Sequence, residues 1–240
     1  MTNILKLIQE RQSVRAPYDS GRPVAKQDLR QILEAARWAP TPHNMQNFEI
    51  IVVDDRRLLE TLASIKYPLS DTFVEENYQN LSFSEEELLR KKVGLLGTMF
   101  PPALRTPGAK LDEGTYEEVR SGWRRAIQTS SVLGVVTYDP KKRAPDSEGD
   151  FLGSIGLGCV LENMWLMAHF LGISFHVISI LNRDPAEREV KKVLDVPGDL
   201  KIAFAFRLGY AVHTQARTLR VRRELEDFTH HNRYGNKSID

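Results

Sequence analysis

The sequence predicts an α+β fold, a mixed central sheet flanked by helices, and three observations carry that expectation. Short β-rich runs alternate with longer stretches of helical period, without the strict strand–helix–strand regularity of a parallel sheet. One stretch, Phe151 to Phe170, is apolar on nearly all sides, as suits a helix buried in a core or a subunit interface. The 240 residues are 41% hydrophobic and 27% charged, which is enough apolar material for a core and no case for disorder. A single domain over 1–240 is the simplest organisation, with 66–114 as a lid-like insertion and 214–240 as a charged C-terminal tail.

The chain starts in a helix that the run Arg11-Gln12-Ser13-Val14-Arg15 closes. From Lys26 to Trp38 the residues Leu29, Ile32, Leu33 and Ala36 recur at helical spacing, and Pro40 and Pro42 end the pattern. Phe48 to Val53 is a short β-rich run closed by Asp54-Asp55, hence a strand, and Arg57 to Ile65 returns to helix. Ser84-Glu85-Glu86-Glu87 has capping-box spacing and predicts a helix running towards Leu96. The rest of 66–114, with Tyr67, Phe73, Tyr78, Phe83 and Phe100 among several prolines, reads as irregular, which suits a lid or binding loop and equally a surface excursion with no role. A helix over Tyr116 to Thr129 and a strand over Val132 to Tyr138 follow, then a polar loop and the long apolar helix. Ile173 to Ile180 is short and β-branched, which suits a central strand. Asp184-Pro185-Ala186-Glu187 reads as N-cap, proline at the first position and Glu at the third, so a helix runs from there to about Asp195. Leu200 to Leu208 alternates as a last strand.

Composition narrows the function. A net charge of +1 gives no general attraction to nucleic acid or to an anionic membrane. The single Cys159 allows no intrachain disulfide and no multi-cysteine metal site, and a reducing compartment is consistent with it. Charges among Met1 to Arg11 interrupt what a signal peptide needs, so a cytoplasmic protein is expected. The 151–170 stretch approaches the ~20 residues that span a bilayer. It carries Glu162, Asn163 and His169, with Gly153, Gly156 and Gly158 near its start, and is read as a core or interface helix instead.

The three glycines superficially resemble a dinucleotide-binding loop, but Leu161 stands where the third glycine is needed and a polar loop precedes them, so helix packing explains them better. The histidines at 43, 169, 176, 213, 230 and 231 have no HExxH spacing, and no nucleophile elbow or P-loop occurs. Two basic clusters remain, Arg11-x-Ser13-x-Arg15 and Arg220-Val221-Arg222-Arg223. Arginine forks with a neighbouring hydroxyl suit a phosphate, and either cluster alone also suits a solvated face. Between the amphipathic helix and the first strand, Ala39-Pro40-Thr41-Pro42-His43-Asn44-Met45-Gln46-Asn47-Phe48 sets short polar side chains and rigid prolines on a loop that can serve a ligand or simply turn the chain.

In their order and spacing these landmarks resemble the nitroreductase family through nearly the whole chain: Arg11-x-Ser13-x-Arg15; Ala39-Pro40-Thr41-x-x-Asn44-x-Gln46; Asn163 with Leu166, Ala168 and Gly172; and Arg220-x-Arg222 with Leu225-Glu226-Asp227. The resemblance implies a nitroreductase-like sheet in an intertwined homodimer with two FMN molecules at the subunit interface. Arg11, Ser13 and Arg222 then match phosphate ligands, with Gln12 inside the same motif and Arg220 as a helper. Arg15 matches the cation beside the flavin's pyrimidine edge. Pro40, Thr41, Pro42 and Asn44 fall in the turn that the partner subunit contributes. Val177, Ile178, Ser179 and Ile180 form the strand end where family members set backbone donors against flavin N5 and O4. A basic residue before Val132 also reaches the flavin in the family, and Arg124 and Arg125 both qualify.

The implied activity is ping-pong: hydride from NADH or NADPH enters at flavin N5, and electrons leave to a nitroaromatic, a quinone or a similar small acceptor. No catalytic side chain is required; Arg15 would stabilise the charge that reduction leaves near N1 and O2. A specialised flavoenzyme on the same fold, such as a reductive dehalogenase or a flavin-dependent dehydrogenase, and a non-catalytic flavin-binding module are the alternatives. Pro42 stands where the family has a small hydroxyl residue, Asn47-Phe48 where Pro-Trp is common, and Ser179-Ile180 where some members have an acidic residue and glycine, followed here by Leu181. A stiffer turn and an altered substrate pocket are expected from these departures.

Overall fold

A computed structural model describes residues 3–67, 69–109, 111–213 and 219–237. In chain order the elements are α1 (Ile4–Glu10), α2 (Lys26–Arg37), β1 (Glu49–Val53), α3 (Arg56–Ser64), α4 (Asp71–Val74), β2 (Ser82–Phe83), α5 (Glu85–Lys91), β3 (Leu95–Leu96), α6 (Pro102–Arg105), α7 (Glu113–Gln128), β4 (Val132–Tyr138), α8 (Phe151–Phe170), β5 (Ser174–Ile178), α9 (Ala186–Val193), β6 (Lys201–Gly209) and α10 (Leu225–Phe228). They fall into two compact units, Met1–Pro68 with Val119–Gln215, and Leu69–Glu118 with Ala216–Asp240. Of the 214–240 tail expected from the sequence, 214–218 and 238–240 lie outside the described residues.

The first unit is built on a four-stranded sheet in the order β1-β4-β6-β5. All three ladders are antiparallel, with Ile51 opposite Val135, Val135 opposite Ala205, and Val177 opposite Phe206. Parallel pairing occurs only in the β2–β3 sheet of the second unit, among the described residues. Gly134 is opposite Phe206, and a Cβ there would sit 2.2 Å from the Phe206 ring, so only glycine lets that ring lie across β4. The ring stacks on Phe175, which stacks on Trp165 of α8, and Ile32, Ala36, Val160 and Met164 complete the core between the sheet and the α2–α8 pair.

Local signals explain the element ends. Asn3 caps α1 by accepting from Leu5 N, and Asp55 caps α3 by accepting from Leu58 N. α2 ends at Arg37, three residues before Pro40, as its pattern predicts. In α8 the residues Gly156, Val160, Met164 and Ala168 form the buried stripe, and Asn163 Nδ2 donates to Ala35 O of α2 at 3.0 Å. The other side is open, with Phe151, Ile155 and Phe170 exposed by 67%, 46% and 56%. By length and composition α8 could cross a membrane; its polar tie to α2 and its buried stripe hold it within the unit.

Three expectations need correction. β5 is an edge strand of the described sheet, not a central one, and it ends at Ile178; Ser179–Asn182 is a 3-10 turn, because Ile180 and Leu181 turn inward to bury their side chains. Asp184 does not cap α9: the cap position is Pro185, and the Asp184 carboxylate lies 3.2 Å from Arg188 Nε instead. α5 stops at Lys91 rather than near Leu96, since Lys92 and Gly94 adopt left-handed backbone and Leu95–Leu96 pairs with Ser82–Phe83.

The second unit is more ordered than its composition suggests. Tyr78 packs edge-on against both Phe73 and Phe100, and Val74, Leu88 and Leu104 are buried. The buried amide of Gln79 accepts from Gly108 N and donates to Ala109 O, closing the 97–109 loop region onto the 75–79 turn. The Ser84–Glu87 capping box forms as predicted.

Candidate active site

Residues 11–18 leave α1 as a loop laid on β5 and α8. Val14 N donates to Phe175 O at 2.9 Å, and Trp165 Nε1 donates to Gln12 O at 3.2 Å. The Arg11 guanidinium stacks 4.2 Å over the Trp165 ring, and its Nε lies 2.9 Å from Glu162 Oε1. That ion pair lacks hydrogen-bond alignment, for the buried Nε has no hydrogen-bond partner among the described residues. Ser13 is half-buried two residues on, and Arg15 is exposed. An arginine, a hydroxyl and a second arginine are the donor set a phosphate monoester takes up, so these residues fit such a group.

The loop is held from below by Arg207 of β6, which is fully buried. Its Nη2 is 2.9 Å from Ala16 O, 3.0 Å from Arg15 O and 3.4 Å from Val14 O; Nη1 donates to Ala126 O at 3.0 Å, and Nε to His176 Nδ1 at 3.1 Å. The Tyr18 ring covers the guanidinium at 3.9 Å while its hydroxyl donates to Val14 O at 2.9 Å. Burial pushes the Tyr18 phenol's pKa up, against the opposing Arg207 charge. Burial first, then the charges of Arg207 and Arg15, push His176 down to about 3, so the imidazole is neutral and free to accept at Nδ1. Trp123 of α7 stacks on it at 5.9 Å.

A pH dependence follows. His176 has a folded pKa below its unfolded value of 6.5, so between about pH 3 and 6.5 the unfolded chain binds a proton that the folded chain refuses. The stabilisation is complete above 6.5 and is lost as pH falls. From pH 7 to 4.5 this group should cost on the order of 2 to 3 kcal/mol. His176→Asn keeps an acceptor for Arg207 and does not titrate, so urea unfolding of this variant should lose less stability than wild type over that range. Equal losses would show that His176 is not the group being protonated.

The turn after α2 is shaped by its own side chains. Thr41 Oγ1 accepts from Gln46 N at 3.1 Å, Gln46 Nε2 donates to Asn44 Oδ1 at 3.1 Å, and Asn44 N donates to Thr41 O at 3.0 Å. His43, Asn44 and Gln46 have φ of 48°, 52° and 46°, a cluster of left-handed non-glycine residues. Such strain, about 1–3 kcal/mol at each unfavourable position, persists where surroundings enforce it and gathers at ligand sites. Two anchors enforce it here. Asn47 Nδ2 donates to Asp139 O and Lys142 O while its Oδ1 accepts from Asp139 N. Gly156 of α8 lets Thr41 and Pro42 close in, since a Cβ there would sit 3.2 Å from Pro42 Cδ. Thus Gly156 serves helix packing as the sequence suggested, and the unusual Pro42 and Asn47 are both structural anchors of the turn. Gly158 faces open space.

The two pieces do not meet across α8. Gly156, which seats the turn, and Trp165, which seats Arg11, are nine residues apart, half a turn off in azimuth at about 100° per residue. The helix therefore stands between the Thr41 turn and the Arg11 loop of its own chain. At the end of β5, Val177 is half-buried, Ile178 and Ile180 are buried, and Ser179 alone exposes its side chain. Arg220 and Arg222 belong to the second unit, both exposed, with Arg222 Nη1 donating to Val221 O. Of the two candidates on α7, Arg125 is exposed, while the Arg124 charge acts on the buried Tyr67 phenol. Among the described residues no cluster of three His, Cys, Asp or Glu could hold a metal.

Sequence reasoning missed Arg207 and His176. The signal was available: an arginine between Phe206 and Leu208 in an otherwise apolar strand needs buried acceptors, and a histidine in the neighbouring strand is one of the few side chains that can supply one.

Comparison with known proteins gives one consistent result. The model of the nitroreductase family matches residues 8–210. A curated protein of Archaeoglobus fulgidus, provisionally named an NADH dehydrogenase/NAD(P)H nitroreductase, is 38% identical over 63 residues, which are 26% of this chain and 35% of that protein; the chain thus matches about a third of its relative's length. A nitroreductase with bound FMN from Desulfitobacterium hafniense superposes with a TM-score of 0.60 at 19% identity, over 96% of this chain and 99% of the other. Another with bound FMN, from Bacteroides fragilis, gives 0.54 at 23% identity, over 91% and 95%. At these identities the superpositions establish the shared fold.

Proposed function

We propose, from the premise that this chain belongs to the nitroreductase family, that it is an FMN-dependent oxidoreductase drawing electrons from NADH or NADPH and passing them to a nitroaromatic, a quinone or a similar small acceptor. The observation that carries this reading is the Arg11 guanidinium, seated on the Trp165 ring, in a loop that also presents Ser13 and Arg15. FMN, when bound, supplies the two-electron chemistry in a ping-pong sequence. Arg11 and Ser13 would hold its phosphate, and Arg222 and Arg220 match further phosphate ligands by family resemblance. Arg15 would lie by the pyrimidine edge and favour the reduced, anionic form. The backbone at Val177–Ile180 would face the ring's N5 side. No side chain is assigned a bond-making role.

The same reading takes the protein as a homodimer in the cytoplasm. Support comes from the exposed apolar side of α8 and from the position of the Thr41 turn on the far side of that helix from its own Arg11. A second copy would cover the first and bring its turn, with Pro40, Thr41, Pro42 and Asn44, to the flavin.

The test is the cofactor itself. Denaturing the purified protein should release FMN, identified by mass, and anaerobic NADH or NADPH should bleach the bound flavin stoichiometrically. Recovery of FAD, or of no flavin after reconstitution with FMN, would refute the reading; a bound flavin that neither nucleotide bleaches would point to a non-catalytic flavin-binding module. Arg15→Gln should retain FMN but lower its two-electron potential by about 30 mV, equivalent to about 1.4 kcal/mol of lost preference for the reduced anion. Spectroelectrochemistry giving the wild-type potential would remove Arg15 from that role.

A further inference from the structure

We infer that Arg207 is a positioning residue for the flavin: by gathering the carbonyls of Val14, Arg15 and Ala16 onto one nitrogen, it sets the path of the loop that aims Ser13 and Arg15 at the cofactor. The inference rests on the FMN reading above. Its basis is the geometry around Nη2, where three consecutive carbonyl oxygens lie within 2.9–3.4 Å of one atom. Consecutive carbonyls in extended backbone point to opposite sides. A loop whose carbonyls converge therefore has a constrained path, and Arg207 stabilises it by being fully buried and unable to move to solvent. The remaining donors are committed to other elements, Nη1 to Ala126 O at the end of α7 and Nε to His176 Nδ1 on β5. Tyr18 closes the arrangement from the loop side, its ring over the guanidinium and its hydroxyl on Val14 O. Arg207 thus joins β6, β5, α7 and the loop at a single planar fork.

A strand interior is a costly place for a charge. Burial holds the guanidinium's pKa below its ordinary value, yet arginine stays protonated in proteins. Among the described residues no carboxylate contacts it; the charge is met by carbonyl dipoles, the Tyr18 ring and a neutral histidine. An apolar side chain would fill the strand position more cheaply, so the geometry points to the loop as what the arginine serves.

The experiment compares Arg207→Met, Arg15→Gln and the double variant by FMN titration and by flavin potential. Arg207→Met should weaken FMN binding about tenfold or more, and in that background Arg15→Gln should no longer change the potential, because Arg15 is no longer aimed. If Arg207 were merely a packing residue, melting temperature would fall but Arg15→Gln would shift the potential equally in both backgrounds, which would overturn the proposal. Should Arg207→Met fail to fold, Tyr18→Phe carries the same cycle: it removes one hydrogen bond to Val14 O and should weaken FMN binding about fivefold and diminish the Arg15 effect. An undiminished Arg15 effect there would equally overturn it. Wild type that binds no FMN would fail before any variant is made, and would defeat the flavin reading instead.

Discussion

Arg11→Ala is expected to yield protein that purifies without FMN, with affinity lowered about a hundredfold on reconstitution. Two losses combine. The variant gives up charge-assisted hydrogen bonds from a guanidinium that the Trp165 ring holds in place. It also strips Glu162 of the cation 2.9 Å away, leaving a carboxylate facing the phosphate. Glu162→Gln in the Arg11→Ala background should therefore recover part of the affinity, and that recovery separates the two contributions. Flavin fluorescence quenching measures both. Affinity within twofold of wild type in Arg11→Ala would mean that the phosphate lies elsewhere.

Much of the first unit was legible because its signals are local. The α2 stripe and the β-branched runs of β1 and β4 each depend on neighbours within a few residues. The Ser84–Glu87 box was legible for the same reason, while the end of α5 was not, since it depends on Leu95–Leu96 finding Ser82–Phe83. The edge position of β5 and the inward turn at Ile180–Leu181 are tertiary facts with no local signature.

The candidate site divides in the same way. Arg11, Ser13, Arg15 and the Thr41–Gln46 turn were legible as candidates because residue type and spacing mark them, and the family resemblance supplied their expected roles. What holds them was not. Arg207 reaches a loop some 190 positions earlier, and Asn47 ties the turn to carbonyls more than 90 residues on. Pro42 and Asn47 read as departures from a family pattern, and the structure gives each a packing reason, Pro42 against Gly156 and Asn47 across the 139–142 loop. A substitution that looks like a weakened ligand in sequence can thus be a strengthened support.

The claim on which the account turns is that one FMN site takes the Arg11 loop from one chain and the Thr41–Asn44 turn from a second copy. This proposal is supported by α8, whose opposite sides seat the two pieces in a single chain. Arg11→Ala and the paired change Thr41→Ala with Asn44→Ala should each give homodimers with both sites defective, the second because Thr41 and Asn44 also hold the turn in shape. The decisive measurement is FMN content in mixed dimers, made by co-expressing the two variants with different tags and purifying through both. In such a dimer one site receives both defects, and the other pairs an intact Arg11 with an intact turn. The account predicts about one FMN per mixed dimer, as complementation across a two-fold interface requires. If Arg11 and the turn served the same site from the same chain, every site would carry a defect, and mixed dimers that stay colourless under saturating FMN would contradict the account.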